Sequence, residues 1–228
     1  MKLTALALAA AVSSAASATF VNYVVTKTST TSGGVSLDVY TVWARFDGAT
    51  DTVLNAYNIA AVGGSSLSGF WHKDNAYYNS GVLSQEFGTW NPSQTGSITA
   101  SRPFDSYLLI GGVAGATNTS NADPSWPAAG GGWNRADVPN GVNAGWFNSS
   151  PPNLQGRVGQ AGNTATDVRL GQFVVDAGAE GGTWNLRIGY NSGIAGAPVQ
   201  FAETTFSLPA PGAIALLGLA GLAGRRRR

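Results

Sequence analysis

His72 is the single histidine of this chain. Any Ser-His-Asp relay would therefore run through it, with Lys73 and Asp74 beside it in SGFWHKDNAYYNSG. A serine nucleophile of that kind is exposed on a Gly-x-Ser-x-Gly elbow, and GGSSLSG does not have that spacing. His72 is expected to be an exposed loop histidine, and no catalytic residue is assigned. Glycoside hydrolysis would need two carboxyl groups flanking the scissile bond. The chain has three glutamates, Glu86, Glu180 and Glu203. Glu86 could meet Asp105 in space, but no strand alternates acids with aromatics as a secreted glucanase does. Asp47 with Asp51, and Asn121 with Asp123, offer oxygen ligands without the spacing of a calcium loop. Asx-type turn capping accounts for both more simply. With no cysteine, thiolate catalysis and Cys-ligated zinc are excluded. No metal or cofactor is expected.

The seven tryptophans are the most informative side chains. Trp43 and Trp184 lie in strand-like runs and are expected in the core. Trp90 and four others, Trp71, Trp126, Trp133 and Trp146, lie among Gly, Asn, Ser and Pro. In such loops a flat ring can stack on a sugar face, which makes those four the candidate glycan contacts. A loop tryptophan can equally pin its loop to the body, and pinning is the favoured reading.

The elements that must position these residues read as strands. In VSLDVYTVWARF, Val35, Leu37, Val39, Thr41 and Trp43 share one face, with Ser36, Asp38 and Tyr40 on the other. Eight more candidates are TFVNYVVTK, DTVLNAYNIAAV, GVLSQEFG, GSITA, DSYLLIGG, TDVRLGQFVVD, GTWNLRIGY and PVQFAETTFSL. No long amphipathic helix lies among them. Glycine, at 31 of 228 residues, is about twice the usual ~7%, as tight antiparallel turns require. The expectation is an all-β chain folded as a single antiparallel β-sandwich, with jelly-roll or immunoglobulin-like connectivity left open. Residues 112–166 have loop chemistry throughout, with short strands expected near AGWFN and LQGRVG.

Both ends carry different chemistry. Met1-Lys2 precedes the apolar LTALALAAAV and the small-residue run SSAASA. Ala16 and Ala18 satisfy the small-x-small rule, which predicts signal-peptidase cleavage between Ala18 and Thr19. At the other end, Pro209-Ala210-Pro211 forms a rigid spacer. An uncharged run from Ala213 to Gly224 follows, and then Arg225, Arg226, Arg227 and Arg228. As a helix the run is short against a hydrocarbon core of about 30 Å. The arginines would remain on the cytoplasmic side as a stop. Setting aside Lys2 and the four arginines leaves eight basic residues against twelve acidic ones, a body charge of −4. That acidity excludes a nucleic-acid or anionic-membrane footprint for the body.

The order Pro-x-Pro, short apolar helix, arginine cluster resembles the PEP-CTERM sorting signal of bacterial exported proteins, with Ala210 where the eponymous motif has glutamate. The resemblance covers about 20 residues. It implies recognition by an exosortase, a membrane-embedded transpeptidase-like enzyme. It also implies a surface or extracellular-matrix destination alongside exopolysaccharide. The chain thus divides into a signal peptide (1–18), a β-sandwich domain (19–207) and a sorting tail (208–228). The expected protein is exported, non-enzymatic and transiently membrane-anchored through its tail. Its expected partners are signal peptidase, an exosortase-like enzyme and polysaccharide. The alternatives are a secreted carbohydrate-binding module using the loop tryptophans and, behind it, a secreted glycoside hydrolase.

Overall fold

A computed structural model describes residues 17–73, 82–93, 102–123, 133–142 and 144–208. Within them the chain is all-β, with nine strands and two short 3-10 turns. The strands are β1 (Phe20–Ser32), β2 (Val35–Phe46), β3 (Thr52–Val62), β4 (Tyr107–Leu108), β5 (Ser120–Ala122), β6 (Gly145–Asn148), β7 (Asp167–Asp176), β8 (Gly182–Asn191) and β9 (Gln200–Leu208). They form two antiparallel sheets, ordered β1-β2-β7-β4 and β5-β6-β3-β8-β9. The signal-peptide core and the tail helix expected from sequence lie outside the described residues. Among the described residues no helix is long and apolar enough to cross a membrane.

Local chemistry explains the long hairpins. β1 and β2 are joined by Gly33-Gly34, with φ of 57° and 83°. Two positive φ values in a two-residue loop match the right-handed twist of the strands it connects. β8 alternates cleanly: Trp184, Leu186, Ile188 and Tyr190 are buried and belong to the shared core.

The main core cluster draws on both sheets. β2 contributes Tyr40, Val42, Ala44 and Phe46. The face expected to carry Val35, Leu37, Val39, Thr41 and Trp43 is therefore the outer one. Alternation groups residues by face but does not say which face turns inward, and here both are largely apolar. Leu37 and Val39 are nevertheless buried, because Trp71, Leu83 and Phe104 cover them with Val174. Trp43 is half-buried on that outer side, its indole N–H donating to Thr26 Oγ1 at 3.2 Å. It is not a core residue as expected, whereas Trp184 is.

Two strands break the period of two, and both breaks have a cause. β7 buries Val168 and Leu170, then Phe173 and Val175. A register shift against β2 between Val42 and Trp43, opposite Gly171, changes its parity. β3 buries Val53, Ala56 and Ile59, every third residue. Its pairing with β8 shifts twice, between Val53 and Asn55 and between Tyr57 and Ala60. Asn58 sits in the second irregularity with φ of 54°. A bulge adds one residue and re-aims the side chains after it.

The expected strand at GVLSQEFG is reduced, over its described part, to an isolated bridge between Ser84 and His72. There the Ser84 hydroxyl accepts from the Glu86 and Phe87 N–H groups of a turn, and the Gln85 amide donates to the Gly69 carbonyl. GSITA lies outside the described residues. In the loop-rich stretch β6 coincides with AGWFN, whereas LQGRVG yields one bridge, Arg157 to Thr52.

Phe173 meets Phe70, Trp90 and Phe206 at centroid distances of 5.8, 5.6 and 6.0 Å. Replacing it by alanine is expected to cost about 3–5 kcal/mol, measured by urea denaturation. Val142→Ala, at a 79% exposed position, should stay within about 0.5 kcal/mol of the parent.

Candidate functional site

Among the described residues the loop tryptophans do not assemble into one surface. Trp133 and Trp146 are 7% and 1% exposed and belong to the common core. The Trp146 indole donates to the Leu109 carbonyl at 2.9 Å. Trp90 is also buried and donates to the Asp137 carbonyl. Burial of an indole needs an acceptor for its N–H, and loop carbonyls supply it, so these rings tie loops to the body. Trp71 lies elsewhere, half-buried against the outer face of the first sheet, with its N–H on Asp176 Oδ1 at 3.0 Å. Trp126 lies outside the described residues, as do Ala16, Pro209, Ala210, Pro211 and Arg225–Arg228.

His72 is buried rather than exposed in a loop. It is 1% exposed and stands edge-on to Trp90, with ring centroids 4.9 Å apart. Its Nδ1 is 3.6 Å from Asp105 Oδ1, both side chains being fully enclosed. Its Nε2 lies 3.3 Å from the Ala136 carbonyl. The neighbouring hydroxyl of Ser106 donates to the Trp71 carbonyl and accepts from the Val174 N–H. That hydroxyl serves the backbone and is not aimed at His72 as a nucleophile would be. Asp105 is buried while Glu86 is exposed, so the two do not line a common cleft as a carboxylate pair.

The oxygen-rich turns act as caps. Asp51 is 2% exposed, and its Oδ2 accepts from the Gly48 and Thr19 N–H groups at 3.2 and 3.3 Å. Asn121 Oδ1 accepts from the Ala122 N–H. Among the described residues no three His, Asp or Glu side chains gather as a metal site. Ala18, the residue before the expected cleavage point, is 2% exposed within the core.

Concavities among the described residues include three that bear on function. One of about 330 Å³ lies on the outer face of the first sheet, lined by Thr28, Thr41, Tyr107 and Arg169. A second, of about 270 Å³, is lined by Asn118, Asn153 and Gln155. Those amides bond mainly to one another and to loop backbone. A third, about 470 Å³, lies on β3 and β6 and includes Asn55, Tyr57, Phe147, Asn148 and Asp123. Asn55, Tyr57 and Phe147 were not singled out by the sequence. Asn55 and Phe147 are direct cross-strand partners, yet they are 92 positions apart, and the only hint was the aromatic content of the two strands.

Comparison with known proteins found no matching family model, no similar characterised protein and no similar solved structure.

The buried carboxylates give the body opposing pH responses. Arg45 donates to both oxygens of Asp167 at 2.7 and 2.9 Å, and this pairing holds its carboxyl below the ordinary value against burial. Burial pushes Asp38 up, but bonds from Lys27, the Gly178 N–H and Ser29 outweigh it and leave it lowered. A lowered carboxylate stabilises the fold above its unfolded pKa of about 4, and that stability disappears as pH falls through the folded value. Asp51 is raised, chiefly by burial. Its contribution is present below the unfolded pKa and disappears as pH rises through the folded value. Urea midpoints between pH 3 and 6 should therefore rise less steeply with pH in Asp167→Asn and Asp38→Asn. In Asp51→Asn they should rise more steeply.

Proposed function

We propose that this chain is an exported, non-enzymatic surface or extracellular-matrix protein. Its two sheets would pack as a β-sandwich, delivered by a cleavable signal peptide and sorted through a PEP-CTERM-like tail. The observation that carries this reading is where the folded body lies relative to the two signals. Among the described residues the first strand opens at Phe20, just after the predicted cleavage point, and the last closes at Leu208, just before Pro209-Ala210-Pro211. The body charge of −4 suits an envelope-side protein with no nucleic-acid role. The enclosed His72–Asp105 contact offers no substrate access, which favours a non-enzymatic body.

The predicted cleavage point has a physical consequence. Ala18 is buried in the folded domain, so signal peptidase must act before the sheets close around it. The cut would turn the Thr19 amide nitrogen into an α-ammonium, charged at neutral pH with a pKa near 8. In the uncut chain that nitrogen lies 3.3 Å from the buried Asp51 carboxylate. Cleavage would thus supply a counter-charge to a group that has neutral backbone donors. A second reading, a carbohydrate-binding module, draws on the β3–β6 concavity.

Intact-mass analysis of the protein recovered from its native host tests the sorting reading. Mature protein should begin at Thr19 and lack Arg225–Arg228. Surface-exposed protein that still carries Arg228 would contradict it and leave a plain C-terminal anchor.

A further inference from the structure

The outer face of the five-stranded sheet is laid out by its register. One row runs Asn121, Phe147, Asn55, Gly189, Phe201 across all five strands. The next continues from Gly145 through Tyr57 and Arg187 to Glu203. Asp123 stands at its head, its N–H donating to the Gly145 carbonyl at 2.9 Å.

Two glycines leave the floor of this face open. A side chain at 145 would press on Tyr57 Cβ at 2.7 Å and on the Ala56 carbonyl at 2.8 Å. A side chain at 189 would strike Asn55 Oδ1. The irregularities of β3 fall on either side of Asn55–Tyr57, and bulges commonly re-aim side chains beside functional sites.

We propose that this groove, centred on Tyr57, Phe147 and Asn55, binds a neutral polysaccharide. Three observations define that chemistry. The first is aromatic surface: Tyr57 and Phe147 line a concavity of about 470 Å³ together with Pro151, a size typical of ligand clefts. Ring faces suit the C–H faces of sugars. The second is an unused amide. Asn55 Oδ1 is buried without a hydrogen-bond partner, and among the described residues the side chain makes no hydrogen bond at all. The amide nitrogen offers two donors, and sugar hydroxyls can accept from it. The third is charge. Asp123 lines the groove, and the body carries −4. The Arg187 guanidinium stacks on Tyr57 and Phe201 at 5.4 and 5.0 Å and faces Glu203 at 4.0 Å. A groove of this charge repels acidic polymers and suits an uncharged one.

The choice of polysaccharide over a free sugar rests on the reading of the chain as a matrix-side protein, whereas the groove itself does not. The test is affinity electrophoresis of the full chain in native gels. The gels contain a neutral β-glucan, a galactomannan or a xylan, with alginate as the acidic arm and soluble glucose and galactose as competitors. At least one neutral polymer should retard the protein, and alginate should not. Tyr57→Ala and Phe147→Ala should each weaken binding at least about tenfold, with urea midpoints measured to establish that each variant is folded. If Tyr57→Ala unfolds, Asn55→Ala takes its place with the same expected loss. Trp43→Ala, on the other sheet, should bind like the parent.

Absence of retardation in every neutral gel overturns the proposal, as does equal retardation in alginate. Undiminished binding by folded groove variants overturns it too. Concentration-dependent self-association abolished by Tyr57→Ala would assign the face to a second copy instead, and displacement by millimolar glucose or galactose would assign it to free sugars. These outcomes are independent of the intact mass of the native protein, so a failed sorting reading and a failed groove are told apart.

Discussion

With no cysteine to staple it, the body depends on aromatic packing between its two sheets. Phe173 of β7 is the hub, in contact with Phe70, Trp90 and Phe206. Phe206 leads on to Tyr23, Tyr23 to Phe20, and Phe20 to Phe46. Such pairs add about 0.5–1.5 kcal/mol each beyond the area they bury. Tyr23 also donates its hydroxyl to the Leu186 carbonyl at 3.0 Å, a bond from the first sheet to the second. Burial pushes that phenol's pKa up, with a smaller contribution from Glu203, so the hydroxyl keeps its proton and the bond its donor.

The same packing accounts for the loops. Trp90, Trp146 and Trp184 each bury an indole and satisfy its N–H with a backbone carbonyl, that of Asp137, Leu109 and Gly181 respectively. Irregular chain between strands is thereby fixed without helices. Because these tryptophans serve the interior, the aromatic surface of the five-stranded sheet's outer face comes from Tyr57, Phe147 and Phe201. The doubly bulged β3 matters here: it buries Val53, Ala56 and Ile59 while Asn55 and Tyr57 line the outer concavity.

Much of this was legible in the sequence, and the rest was hidden for physical reasons. The long strands β1, β2, β7, β8 and β9 declared themselves through alternation and glycine turns. β4 falls within the expected DSYLLIGG strand, whereas the short β5 was lost because three residues carry no period. The inward face of β2 could not be read from a strand apolar on both sides, which displaced Trp43 from its expected place. His72 looked like a surface residue from its polar neighbours, yet Phe70, Trp90 and Asp105 enclose its surroundings from other parts of the chain. The groove was illegible for a related reason: its residues meet only through the pairing of β3 with β6. The two proposed terminal signals, by contrast, rest on local patterns and need no tertiary context.

The central claim is that the functional face of this protein is the outer side of β3 and β6, with Trp90, Trp133, Trp146 and Trp184 reserved for the interior. Backbone amide chemical shifts, followed while a soluble neutral oligosaccharide is titrated in, test it residue by residue. The account predicts that the largest shifts fall on Asn55, Tyr57, Gly145 and Phe147, with Trp71 and Trp133 unmoved. Shifts centred on Trp71 and Trp133, with the β3–β6 amides silent, would contradict it.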